Sequence, residues 1–217
     1  MSIGDVLQEG WALYTRLFGR SVVVAGLIFL VVSLADALAS TRTTYATGLV
    51  SLGLALIGGL LVQGALVEVV RDIHDGRPPA RPTEYYERTR SRLGTLLGTA
   101  ILYGLGVLVG FLLLIVPGLV AVARWSLIVP LVIIEKLGWR DAFARSNELV
   151  RGRTGQVLGL IVITNVLTAV GTLALQEAFS GLPPFWSGWI GGTVAGAIVV
   201  PFEAYVLTVL YYRLRAS

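Results

Sequence analysis

Residues 93–135 read LGTLLGTAILYGLGVLVGFLLLIV, then PG, then LVAVARWSLIVPLVIIE. The first run, 93–116, and the second, 119–135, are separated by Pro117-Gly118 alone, and Arg124 is the one charge between Arg92 and Glu135. A helix that crosses about 30 Å of hydrocarbon needs about 20 mostly apolar residues. The stretch therefore predicts two membrane helices joined by a tight turn at Val116-Pro117-Gly118.

Four more runs of this kind flank the pair, at 21–39, 47–70, 156–178 and 186–212. The predicted fold is all-α: a polytopic membrane helix bundle of six transmembrane helices, forming one domain over 1–217. Composition requires the same solvent. The 217 residues are 55% hydrophobic and 14% charged, with a mean hydropathy of +0.80, more apolar surface than one water-soluble core can bury.

Several chemistries are excluded at this level. There is no cysteine, so disulfides, thiolate metal sites and cysteine nucleophiles are absent. The single histidine, His74, stands among Asp72, Asp75 and Arg77 and reads as a solvated loop residue; it cannot supply a zinc or haem site unaided. No cofactor is expected. The net charge of +4 does not form the basic stripe of a nucleic-acid reader; the bilayer is the expected partner.

The cations instead collect at the ends of the apolar runs. Arg16 and Arg20 precede the first. Arg71, Arg77, Arg81, Arg88, Arg90 and Arg92 join the second to the third, and Lys136, Arg140, Arg145, Arg151 and Arg153 join the fourth to the fifth. Arg213 and Arg215 follow the sixth. The opposite side holds only Arg42, since cations are retained in the cytoplasm during insertion. Both termini are therefore expected in the cytoplasm. Trp11 and Trp139 fall at the inner interface by this reading, Trp186 and Trp189 at the outer, and Trp125 in the outer part of span four. Ala37-Leu38-Ala39 has the spacing of a leader-peptidase site, but the long segment before it contains Asp5 and Glu9 and predicts a retained helix.

Each odd-numbered span is preceded by a polar segment with apolar residues at helical spacing. In the first, Ile3, Val6, Leu7, Trp11, Tyr14 and Phe18 oppose Asp5, Glu9 and Arg16. The second is 83–92, with Tyr85 and Tyr86, and the third is 139–150, with Ala142, Phe143 and Val150. Three cytoplasmic interfacial helices are predicted. With their hairpins they make a threefold helix-plus-hairpin repeat over units 1–75, 76–137 and 138–217. These helices seat the bundle at the headgroups, and they offer a surface to a protein partner or to anionic lipid.

Ionisable groups within the spans are functional candidates, because each costs about 2.5–3.5 kcal/mol at a helix centre. They are Asp36, Arg124, Glu203 and Glu68. Asp36 and Arg124 fall at similar predicted depth and suggest an ion pair that orients two hairpins. Glu203 follows Pro201 in span six, and Glu68 can reach Arg71 or the headgroups. Pro130 and Pro201 mark where spans four and six could be interrupted, a pattern found at carrier binding sites. Gly94 with Gly98, Gly106 with Gly110, and Gly188, Gly192 and Gly196 predict faces of close helix packing.

A family resemblance comes from Pro117-Gly118, Arg124-Trp125, Pro130, Asp141-Ala142-Phe143, Arg145-Ser146, Leu149-Val150-Arg151-Gly152, Pro201 and the closing Leu210-Tyr211-Tyr212-Arg213-Leu214-Arg215. Residues 117–215 resemble the membrane domain attached to some bacterial glycerophosphoryl diester phosphodiesterases and also found alone. Arg213 stands where that family often has an aspartate. The resemblance implies the membrane portion without its enzyme, a portion for which no chemistry is assigned. It also implies a bacterial inner membrane, and the expected function is a non-enzymatic inner-membrane scaffold or accessory component. The alternative is a small transporter or lipid-handling protein that uses the intramembrane charges.

Overall fold

The computed structural model describes residues 2–41 and 45–216; Arg42, the lone cation assigned to the far side, lies outside the described residues. Every regular element among them is helical, and six helical stretches are long and apolar enough to cross a membrane. The protein is a multi-pass membrane protein.

Helix α1 (Ile3–Ser40) runs unbroken for 38 residues, about 57 Å at 1.5 Å per residue. The first interfacial helix is thus not separate, as expected from the sequence, but continuous with the first span. Gly19-Arg20 between them is no stop signal, since one helical glycine costs only about 1 kcal/mol. Both halves of α1 also rest on the same partner, α9 (Pro184–Arg215), which includes a π-helical turn at Ser187–Gly191.

The α1–α9 pair is antiparallel in a fixed register. Gly188, Gly192 and Gly196 face Ala37, Ser33 and Phe29 in turn, and a Cβ built on Gly196 would lie 2.5 Å from the Phe29 ring. Nearer the termini the Ser21 and Tyr205 hydroxyls are 2.5 Å apart, and Arg213 pairs with Glu9 at 2.7 Å. Both chain termini consequently share one end of the bundle. That end also carries Arg71 to Arg92 and Lys136 to Arg153, and is called the arginine-rich end below.

Helix α2 (Tyr45–His74) returns to that end and is followed by α3 (Pro82–Arg90), α4 (Leu93–Leu113), α5 (Ile115–Arg124), α6 (Ile128–Ile134), α7 (Trp139–Val150) and α8 (Thr154–Ala178). The short helices α3 and α7 occupy the positions of the second and third predicted interfacial segments. Burial of Tyr86, whose hydroxyl donates to the Val24 carbonyl of α1, pushes that phenol above its ordinary pKa. The core concentrates in the arginine-rich half, around Val67, Leu127, Leu131, Tyr205 and Leu210. Toward the other end, Leu49, Leu52, Leu105, Val109, Val166 and Val170 are exposed, a surface suited to lipid and not to water.

Two details of the 93–135 hairpin depart from expectation. The turn lies at Leu114, an extended residue (φ −166°, ψ 157°) that alone separates α4 from α5. Pro117 lies inside the first turn of α5, where its missing N–H removes nothing, and Gly118 lets α5 pack against Gly110. Span four is then interrupted at residues 125–127, upstream of Pro130, which has no N–H to offer the Ser126 carbonyl.

The interruption is closed by α7. Ser146 Oγ donates to the Arg124 carbonyl at 2.7 Å and accepts from Leu127 N–H at 3.3 Å, and Phe143 meets the Trp125 ring edge-on at 5.1 Å. Trp125 and Arg124 therefore lie near the middle of the span in contact with the arginine-rich side, not in its outer part. Ser146→Ala would leave a buried carbonyl and N–H without these partners, and should lower stability in detergent by about 1–3 kcal/mol. Ser146→Thr, which keeps the hydroxyl, should recover part of the loss in the same denaturation experiment.

Candidate functional site

A cavity of about 300 Å³ opens beside the interruption of span four, enclosed by α2, α4, α5, α6, α8 and α9. Three helices fix its depth independently. Glu203 is 12 residues before the end of α9, Gln63 is 11 before the end of α2, and Thr164 is 10 beyond the start of α8, or about 15–18 Å from the arginine-rich ends of these helices. The cavity thus reaches deep into the apolar spans, from Leu96 one turn inside α4 to Glu203 in α9.

Its wall is apolar except for a few groups. Glu203 contributes a carboxylate, and no hydrogen bond or ion pair from the described residues engages it. Thr164 is 2% exposed, and its Oγ1 has no partner among the described residues. Asn165 spends its amide N–H on the Ile161 carbonyl at 2.8 Å, which leaves its amide oxygen available. Gln63, Tyr103 and Trp125 also line it, with Thr99 and Ser126, whose hydroxyls donate to carbonyls three or four residues earlier. An unpaired carboxylate beside two aromatic rings suits a cation, and the Thr164 hydroxyl and Asn165 oxygen add hydrogen-bonding capacity.

Pro201 lies inside the helix two residues before Glu203. Proline takes no part in the α-helical bond to the Ala197 carbonyl, and Tyr14 of α1 donates to the neighbouring Ile198 carbonyl at 3.0 Å. The helix is thus supported from α1 one turn from the carboxylate.

The other intramembrane charges are placed elsewhere. Asp36 borders an open groove between the far ends of α1 and α2, with Ser40, Tyr45 and Ser51. No ion pair joins it to Arg124: α1 packs chiefly on α9 and α2, whereas α5 packs on α4, α8 and α7. The expected Asp36–Arg124 pair does not form, because equal depth does not make two helices neighbours. Arg124 Nε is buried without a partner among the described residues.

Glu68 does meet Arg71, at 3.3 Å, as one link in a closed ring. Arg71 reaches Asp75 (3.7 Å), Asp75 reaches Arg77 (3.0 Å), Arg77 reaches Asp72 (3.6 Å), Asp72 reaches Arg88 (3.0 Å), and Arg88 returns to Glu68 (3.7 Å). Three carboxylates alternate with three guanidiniums. Asp72 is 1% exposed, so the ring fastens α3 to the end of α2. His74, expected in a loop, is the exposed last residue of α2 and stacks on Tyr212 at 3.9 Å.

Sequence reasoning missed Gln63, Thr164, Asn165 and Tyr103. The available signal was polarity without charge: Gln63 and Asn165 interrupt otherwise apolar runs, and an amide in hydrocarbon also requires a partner.

No curated protein and no solved structure matches the chain. Residues 89–214, from the end of α3 to the end of α9, match the family described as Domain of unknown function (DUF7847). The match takes in every cavity-lining segment except that of α2. It covers more than half of the sequence, and the chain belongs to this family.

Proposed function

We propose that this chain is a small, non-enzymatic carrier or lipid-handling protein of a bacterial cytoplasmic membrane, with its arginine-rich end in the cytoplasm. Its intramembrane cavity takes a small organic cation, such as a protonated or quaternary amine, against Glu203. The observation that carries this reading is the carboxylate itself. A charge at this depth is costly, and here it faces a cavity instead of a basic side chain. Tyr103 and Trp125 line the same cavity, and the buried Thr164 hydroxyl has no competing partner among the described residues.

The arginine count supports the orientation, and the resemblance of residues 117–215 to a phosphodiesterase-associated membrane domain supports a bacterial inner membrane. A purely scaffolding role would make every intramembrane charge a packing element. The ring around Glu68 fits that description, but Glu203, with no partner among the described residues, does not.

The test uses the purified full chain in proteoliposomes with labelled tetraethylammonium. Glu203→Gln should fold and reconstitute as the wild type does while binding the cation at least about tenfold more weakly, as loss of a charged partner implies. Thr164→Val should weaken it less. Unchanged cation binding by folded Glu203→Gln, or no saturable binding by the wild type, would refute the reading.

A further inference from the structure

We infer that a second site, at the arginine-rich end, binds a phosphate group, presented by an anionic phospholipid headgroup or as a free phosphate. A concavity of about 460 Å³ lies beside Glu68, where three separate parts of the chain converge. Helix α2 and its exit supply Arg71 and Arg77, the α3–α4 junction supplies Arg88 and Arg92, and the α6–α7 connection supplies Lys136. Glu68 is the only carboxylate among the lining residues.

The ion-pair ring accounts for three of these five cations and leaves two over. Among the described residues, neither Arg92 nor Lys136 has a carboxylate within 4.0 Å. Arg92 Nη1 donates to the Lys136 carbonyl at 3.2 Å, which holds the two residues together although their charges repel. Retention of cations on one side explains why each connection is basic. It does not explain why three connections point their cations into one hollow.

Lys136 adds a second observation. It has φ +57° and is the only non-glycine residue with positive φ among those described. It follows the C-cap of α6, where glycine or asparagine usually takes this conformation, and a lysine side chain there is strained. The fold therefore keeps a strained cationic residue where a glycine would be relaxed, and holds it beside Arg92, where the two could share one phosphate.

The level also fits. Arg92 immediately precedes α4 and Lys136 closely follows α6, so both stand where a span meets the headgroups. Guanidinium forks match phosphate oxygens, and fixed cations beside the surface attract anionic lipid.

The experiment follows the unfolding midpoint of the purified full chain in neutral detergent, at matched ionic strength. Its arms are added phosphatidylglycerol, added phosphatidylcholine, inorganic phosphate and chloride. Near saturation the effective anion should raise the midpoint by about 5–10 °C over its control. A rise with phosphatidylglycerol alone assigns a lipid headgroup, and an equal rise with inorganic phosphate assigns a free phosphate. Arg92→Gln with Lys136→Gln should abolish the rise. Lys136→Gly relaxes the backbone, so without anion it should melt no lower than wild type while losing at least half of the rise. The inference fails if neither anion exceeds its control, or if Lys136→Gly and Arg92→Gln both keep the full shift. Since none of these residues lines the Glu203 cavity, the outcome is independent of the cation-binding test.

Discussion

Replacing Arg88 with methionine should destabilise the protein by about 3 kcal/mol in a detergent denaturation experiment. Arg88 Nη1 lies 3.2 and 3.0 Å from the two oxygens of Asp72 and 3.7 Å from Glu68. Without it, Asp72 retains only Arg77 at 3.6 Å, beyond hydrogen-bonding range, while its side chain is 2% exposed. Removing one partner of a buried pair costs about 3–5 kcal/mol, because the other charge is stranded. The lower end applies, since Arg88 is itself 39% exposed. Arg88→Lys should restore less than half, as an ammonium is a point charge without the guanidinium fork. Asp75→Asn, at a position 33% exposed, should cost under about 1 kcal/mol. A loss below that for Arg88→Met would mean that the ring does not hold α3 in place.

Gly110→Ala should cost about 2–3 kcal/mol, near the top of the range for overpacking a tight contact. A Cβ at this position lies 2.9 Å from Gly118 Cα and 3.0 Å from Gly118 N. Both are backbone atoms of the helix that folds back after a single residue, so neither can yield. Gly118→Ala should cost less, because its Cβ meets the Phe111 ring at 2.5 Å and that ring is 42% exposed and can swing into lipid. Gly98→Ala, with nothing within 4 Å, should be neutral or slightly stabilising through helix propensity. Comparing the unfolding midpoints of the three variants tests this order. Gly98→Ala as harmful as Gly110→Ala would show that the hairpin is not held by close backbone approach.

The same glycines show what could be read from sequence. Spacing of four identified Gly188, Gly192 and Gly196 as one packing face, and α1 fills it. The same spacing failed at Gly94 and Gly98, which face open space, because spacing defines a face but not what covers it. The six apolar runs were legible because hydropathy is a local property that the bilayer reads directly. The interruption of span four was signalled by Pro130. Its closure by Ser146, and the cavity beside it, were not, since they depend on which helices become neighbours. For that reason Glu203 was identified as a residue but not as part of a site, and Asp36 was paired with the wrong helix.

The joint between α4 and α5 has one more consequence. Leu112, Leu113, Leu114, Ile115 and Val116 are each 67–77% exposed, and the stretch contains no hydrophilic side chain. Threading a helical pair through hydrocarbon is opposed mainly by the groups at its leading tip that must shed water. Here the tip sheds almost none, and the hydrophilic flanks of the pair stay together at the trailing edge. The α8–α9 pair, by contrast, must carry Glu177 across. The α4–α5 tip can therefore cross to the far side without stripping water from a single charged or hydrogen-bonding side chain.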